Sequence, residues 1–174
     1  MIVGKFQPTV NRSVGGRPRT TDSPPRPTLP ESDYVLAEQM AKNDALPGFE
    51  VEIERAFYIG KYEITQGQWK KVMGSNPSYF QRDKVEYNDD MHPVESVSWQ
   101  DVQVFIKELN ALDKNNTYRL PTEFEWEYAA RAGADDDISW DEIRASAVIG
   151  TTTTSEVGTK KPNAWGLYDT LGNV

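Results

Sequence analysis

The alternation of apolar and charged positions is cleanest in "FEVEIE", residues 49–54. Phe49, Val51 and Ile53 fall on one side of an extended backbone and Glu50, Glu52 and Glu54 on the other. A period of two with one charged face predicts a half-buried strand. "FYIGKYEI", residues 57–64, predicts a second strand, with Gly60 as a bulge or a point of close approach. The period then lengthens. "TQGQ" from Thr65, "SWQD" from Ser98 and "TEFE" from Thr122 each set a hydroxyl residue three positions before an amide or acid. That spacing lets side chain and backbone cap each other reciprocally, so it predicts three helix starts. In the second helix Val102, Phe105, Ile106, Leu109 and Leu112 recur at helical spacing and predict one face laid on a core. The third has Phe124, Tyr128 and Arg131 on one side and Trp126 and Ala130 on another, with Gly133 as its stop. A short helix is expected in 31–46, capped by Ser32 or Asp33. Beyond Gly133 the regular signals fade, and loops punctuated by Gly150, Gly158, Pro162, Gly166 and Gly172 are expected.

Residues 7–31 interrupt this patterning. They hold six of the eleven prolines, and proline removes backbone donors and restricts its neighbours. The expected organisation is therefore an N-terminal strand plus a Pro-rich flexible segment over 1–48, followed by one domain over 49–174. Five Trp and eight Tyr predict a core much of which is aromatic and loop-covered rather than aliphatic. The net charge of −8 is uneven. Residues 1–30 carry five basic residues and one acidic residue, a balance of +4, so the rest carries −12. An acidic body repels phosphate, so no nucleic acid partner is expected. No run of apolar residues is long enough to span a membrane. The opening "MIVGKFQPTV" lacks a signal-peptide pattern, which makes the cytoplasm the default compartment.

Candidate chemistry is sparse. There is no cysteine, hence no thiolate nucleophile and no Cys-ligated metal in these residues. The single histidine, His92, precedes a proline and is expected to play a structural or solvent-facing part, since a triad or zinc site needs convergent partners. Asp135–Asp137 could attract a hard cation but lacks calcium-loop spacing, so a solvated charge run is expected.

Four stretches carry a resemblance. "FYIGKYEITQGQWKKVMGSNPSYF" (57–80), "HPVESVSWQDVQVFIKELN" (92–110), "YRLPTEFEWEYAARAG" (118–133) and "KKPNAWGLYDTLGNV" (160–174) resemble successive blocks of the formylglycine-generating enzyme (sulfatase-modifying factor) family, in family order. "MIVGKF" resembles its opening strand, while 7–48 depart from it. The resemblance implies an α+β fold, C-type-lectin-like, loop-rich and incomplete at the C-terminus, because the family continues past Gly-Asn-Val into a Trp-Glu-Trp block. It further implies a family activity, oxidation of a sulfatase cysteine to formylglycine with oxygen and copper held by two cysteines in the C-terminal portion. Without cysteine, copper is not expected in this chain, and a catalytically inert portion of the domain is the expectation. The alternative is a non-catalytic binding or scaffold module, with a protein or peptide partner or a second chain completing the fold. A structural calcium site in the family uses the Gly-Asn-Val segment and a glutamate beyond it. By resemblance Asn173 and Val174 are its partial match here. A second calcium site is only weakly matched by "RASAVIGTTTTSE" (144–156). Thiol–histidine sulfoxide synthesis, another activity on this fold, needs a His-rich iron site that one histidine cannot supply. Trp126, Trp165 and Leu167 are expected to lack cover.

Overall fold

A computed structural model describes residues 2–3, 49–85, 88–134 and 140–174. The chain divides into two compact units, Met1–Glu52 and Ile53–Val174. In the first, β1 (Ile2–Val3) pairs antiparallel with β2 (Phe49–Glu50), in the register Ile2 opposite Glu50 and Val3 opposite Phe49. The boundary between the units falls after Glu52, and Phe49 and Glu50 pair onto the N-terminal strand. The expected helix in 31–46, the Pro-rich segment and the Asp135–Asp137 cluster lie outside the described residues.

The second unit is helices and ordered loops. Helix α1 (Gln66–Met73) is capped by Thr65, whose Oγ1 accepts from the Gln68 N–H at 3.2 Å while Gln68 Oε1 accepts from the Thr65 N–H at 3.0 Å. Helix α2 (Trp99–Leu112) repeats the arrangement with Ser98 and Asp101. Helix α3 (Glu123–Arg131) repeats it with Thr122 and Glu125. All three sequence-predicted capping boxes are therefore present, each satisfying two backbone donors that the first turn leaves orphaned. Trp69 of α1 and Phe105 of α2 are buried and stack, centroids 4.7 Å apart and planes 4° from parallel, which fastens the two helices.

Four expectations are corrected here. In the alternating segments 51–64 odd-numbered positions are more covered than even ones over most of the length, but the backbone bends at 55, 61 and 62 and builds no ladder. The cross-strand pairing recorded for them is the isolated bridge Thr65–Pro93. Its bonds are Gln66 N–H to the His92 carbonyl and Val94 N–H to the Ile64 carbonyl, and it goes no further because the chain turns into α1 at Gln66 and Ser96 takes φ 60°. Secondly, α3 ends at Arg131 and its cap is Ala132, ahead of Gly133: Ala132 itself takes the left-handed conformation at φ 48°, and Gly133 follows at φ 83°. Thirdly, the region beyond Gly133 contains a helix, α4 (Trp140–Ser146), with Asp141 and Glu142 in its first turn and Arg144 in its last. At two turns it is too short for its periodicity to stand out. Finally, Leu112 of the expected core face is 67% exposed, at the last residue of α2.

The rest of the core comprises small residues. Ala129, Ala130 and Ala132 at the end of α3, and Ala147 and Val148 after α4, are buried together with Leu167. Leu167 is thus covered, at 9% exposure, contrary to expectation, whereas Trp126 and Trp165 remain 47% and 49% exposed. Trp165 does rest edge-on against Tyr128, centroids 4.9 Å apart. Asn163 ties its loop to α3, donating from Nδ2 to the carbonyls of Ala129 and Ala130 and accepting at Oδ1 from the N–H groups of Trp165 and Leu167.

Candidate functional site: a carboxylate clasp between three loops

Three segments distant in sequence converge in the second unit: 61–66, 153–158 and 168–174. The Tyr168 N–H donates to the Lys61 carbonyl at 3.0 Å. Tyr62 and Tyr168 meet with centroids 5.1 Å apart, and Lys61 Nζ lies 5.3 Å from each ring centre. Gly158 fits against Tyr62 only because it has no side chain. It adopts φ +75°, and an added Cβ would come within 2.5 Å of Tyr62 Cε1.

Glu63 is at the centre. One carboxylate oxygen accepts from Asn173 Nδ2 at 3.0 Å and the other from the Val174 N–H at 3.3 Å. Asn173 also grips Ser155 from both sides, its Oδ1 accepting from the Ser155 N–H at 2.9 Å and its Nδ2 donating to the Ser155 carbonyl at 3.1 Å. Asp169 holds the neighbouring turn, with Oδ2 accepting from the Gly158 N–H at 2.7 Å. Its Oδ1 is buried with no hydrogen-bond partner. Asp169 and Asn173 take positive φ, 57° and 114°. Such values are costly outside glycine, and Asp and Asn tolerate them best. Burial pushes the Glu63 carboxyl up to about 7, against the hydrogen bond from Val174, and the charge of Asp169 adds to the rise. Burial likewise raises Asp169, opposed by its bond from Gly158.

His92 stands one layer away. It is 2% exposed and its Nδ1 lies 2.9 Å from Thr154 Oγ1, a structural placement that anchors the 153–158 loop. The fully buried Gln66 does similar work on the other side, donating from Nε2 to the Phe80 carbonyl and accepting at Oε1 from Asn76. Among the described residues no group of three or more His, Cys, Asp or Glu is set to hold a metal ion. No helix among them is long and apolar enough to cross a membrane.

The structure therefore brings together Asn173 and Val174, which the resemblance had singled out, with Glu63 and Asp169, which it had not. Glu63 had left a trace. It shares odd parity with Phe57 and Ile59, so an acid stands where an inward residue belongs. Asp169 had left none, since its burial comes from contacts across the chain.

Residues 21–174 match the family description "Sulfatase-modifying factor enzyme 1-like domain". The chain belongs to this family. A protein of Paenibacillus barcinonensis named "Chaperone protein LppX" is 32% identical to it, over 68% of this chain and 60% of that one. The formylglycine-generating enzyme of Streptomyces coelicolor is 35% identical, over 48% of this chain and 30% of the enzyme. Among solved structures, Treponema denticola variable protein 1 superimposes with a TM-score of 0.56 at 31% identity, over 65% of this chain and 60% of that one. The matches thus span 60% or less of these relatives' own lengths.

Proposed function

We propose that these 174 residues form a non-catalytic, binding member of the family rather than a unit that oxidises cysteine. The observation that carries this is the absence of cysteine from the whole sequence. Copper(I) is selected by thiolate and thioether donors. Met73 sits at the end of α1 and Met91 in a short 3₁₀ turn, with no thiolate to complete a soft site, so the residues present do not fit copper. A relative named as a chaperone supports a binding role, as do the exposed Trp99, Trp126 and Trp165. The partner would be a protein or peptide, or a second chain that completes the fold, and a C-type-lectin-like α+β arrangement would be the scaffold. The test is oxygen consumption with a cysteine-containing sulfatase-type peptide and copper(I). No uptake above the protein-free control is expected, and turnover would overturn the reading.

Calcium at Asn173 and Val174 is part of the same proposal. Carboxylate oxygens suit a hard cation, and Glu63 beside Asn173 and Val174 supplies the negative charge that such an ion seeks once the bonds from Asn173 Nδ2 and the Val174 N–H give way. The bound ion would tie 168–174 to Glu63. A ligand that binds only the folded state raises the melting temperature. Calcium should therefore raise it relative to a chelator, and Glu63→Gln should abolish the difference. Equal melting temperatures with and without calcium would remove the metal from the account.

A further inference from the structure

The backbone nitrogen after an asparagine can attack that asparagine's own side-chain amide, because a small ring closes between them without any encounter in solution. At Asn173 the groups that such a closure needs converge. The nucleophile, the Val174 N–H, donates to one oxygen of Glu63 at 3.3 Å. The leaving nitrogen, Asn173 Nδ2, donates to the other oxygen at 3.0 Å. One carboxylate thus touches both nitrogens that exchange places. The side-chain carbonyl oxygen, where charge develops as the ring closes, accepts from the Ser155 N–H at 2.9 Å. A fixed backbone donor at that position stabilises a developing oxyanion. Asn173 also takes φ 114°, a strained conformation for a residue with a side chain, and Val174 is exposed, so water reaches the junction. Asn116 is the contrast. Its Nδ2 also donates to a carboxylate, Asp113 Oδ2 at 2.8 Å, but among the described residues no carboxylate is recorded on the Thr117 N–H that follows it.

We infer that Asn173 is a self-modification site, at which Glu63 promotes closure of a succinimide and its opening to aspartate and isoaspartate. Glu63 takes the Val174 amide proton, and the freed electron pair forms the bond from that nitrogen to Asn173 Cγ. Collapse of the tetrahedral intermediate breaks the Cγ–Nδ2 bond, and ammonia leaves with the proton that Glu63 returns. Water then opens either carbonyl of the ring. The sum is asparagine plus water giving aspartate or isoaspartate plus ammonia, with no oxidant or cofactor. The product undoes the clasp: a carboxylate at 173 cannot donate to Glu63 or to the Ser155 carbonyl, and it sets a like charge beside Glu63. The site is a one-way release for 168–174. It does not depend on whether the protein consumes oxygen, so the two readings can fail separately.

The experiment is a time course of the full chain at neutral pH in chelator, which keeps Glu63 free of metal. Peptide mapping by mass spectrometry reads amide-to-acid conversion at each asparagine, and isoaspartyl methyltransferase labels the rearranged product. Asn116 is the internal reference, exposed and followed by β-branched Thr117 as Asn173 is by β-branched Val174. Asn173 should convert faster than Asn116 by about tenfold or more, since a positioned acid–base group contributes about 10²–10⁴-fold. Glu63→Gln should lose that advantage. So should the unsubstituted chain in urea, which parts Glu63 from Asn173, and this arm decides alone if Glu63→Gln does not fold. Conversion at Asn173 no faster than at Asn116 would overturn the inference. Conversion unchanged or accelerated by Glu63→Gln or by urea would overturn it too, acceleration making the clasp a protector of Asn173.

Discussion

Glu63 carries the most informative ionisation in the molecule. Its folded carboxyl titrates at about 7 against an ordinary 4.5, chiefly because burial penalises the charge. A raised acid binds more protons in the folded than in the unfolded chain between those values. Its contribution to stability is complete below about 4.5 and is lost as pH rises through 7. In chelator, the melting temperature should fall as pH is taken from 5 toward 8, and Glu63→Gln, which keeps an acceptor but cannot ionise, should flatten that slope. A slope unchanged by the substitution would assign the pH dependence to other groups. Gly158 offers a second test at this scale. It and Gly74 share φ +75°, but Gly74 would meet nothing within 4 Å while Gly158 would meet Tyr62. Gly74→Ala should cost about 1 kcal/mol from backbone strain alone. Gly158→Ala should cost more, about 2–3 kcal/mol, because the clasp must also yield. Urea unfolding of both variants measures the difference.

At the scale of the element, what could be read from the sequence was what is decided within four residues. The capping boxes of Thr65, Ser98 and Thr122 were legible because donor, acceptor and spacing all lie in one turn. The fastening of α1 to α2 was half legible: periodicity marked Phe105 as inward, yet nothing in the chain named Trp69 as its partner across 36 positions of sequence. The run 57–64 was legible in its parity and not in its pairing, since the bonds at its end come from the neighbours of Pro93, distant in sequence. The clasp was least legible, because residues 110 apart supply its bonds. Energies should rank the same way. Thr65→Ala, Ser98→Ala and Thr122→Ala each remove a local cap and should cost about 1 kcal/mol. Of these, Thr122→Ala should cost least, because Glu125 also takes a bidentate contact from Arg119 at 2.6 Å, which steadies the α3 entrance without the hydroxyl. Trp69→Ala removes the long-range stack and should cost about 3–5 kcal/mol. Chemical denaturation of the four variants checks both the ranking and the gap.

On the whole molecule, two surface properties oppose each other. A net charge of −8 repels neighbouring copies, while Trp99, Trp126 and Trp165 leave large apolar area in water. Charge repulsion acts over a screening length of about 10 Å at 0.1 M salt and about 3 Å at 1 M, whereas apolar contact does not weaken with salt. Raising ionic strength should therefore shift the chain from monomer toward association. Sedimentation velocity over a salt series should show a coefficient that rises with both salt and protein concentration. Trp126→Ser should suppress the rise: its side chain is half exposed on α3 and takes no part in the clasp. Trp165→Ser is the less clean probe, because it also removes the ring against Tyr128 and would disturb the loop that Asn163 holds. If sedimentation stays constant across the salt series, these aromatic positions are ordinary surface. If it rises equally in the Trp126→Ser variant, association runs through another face.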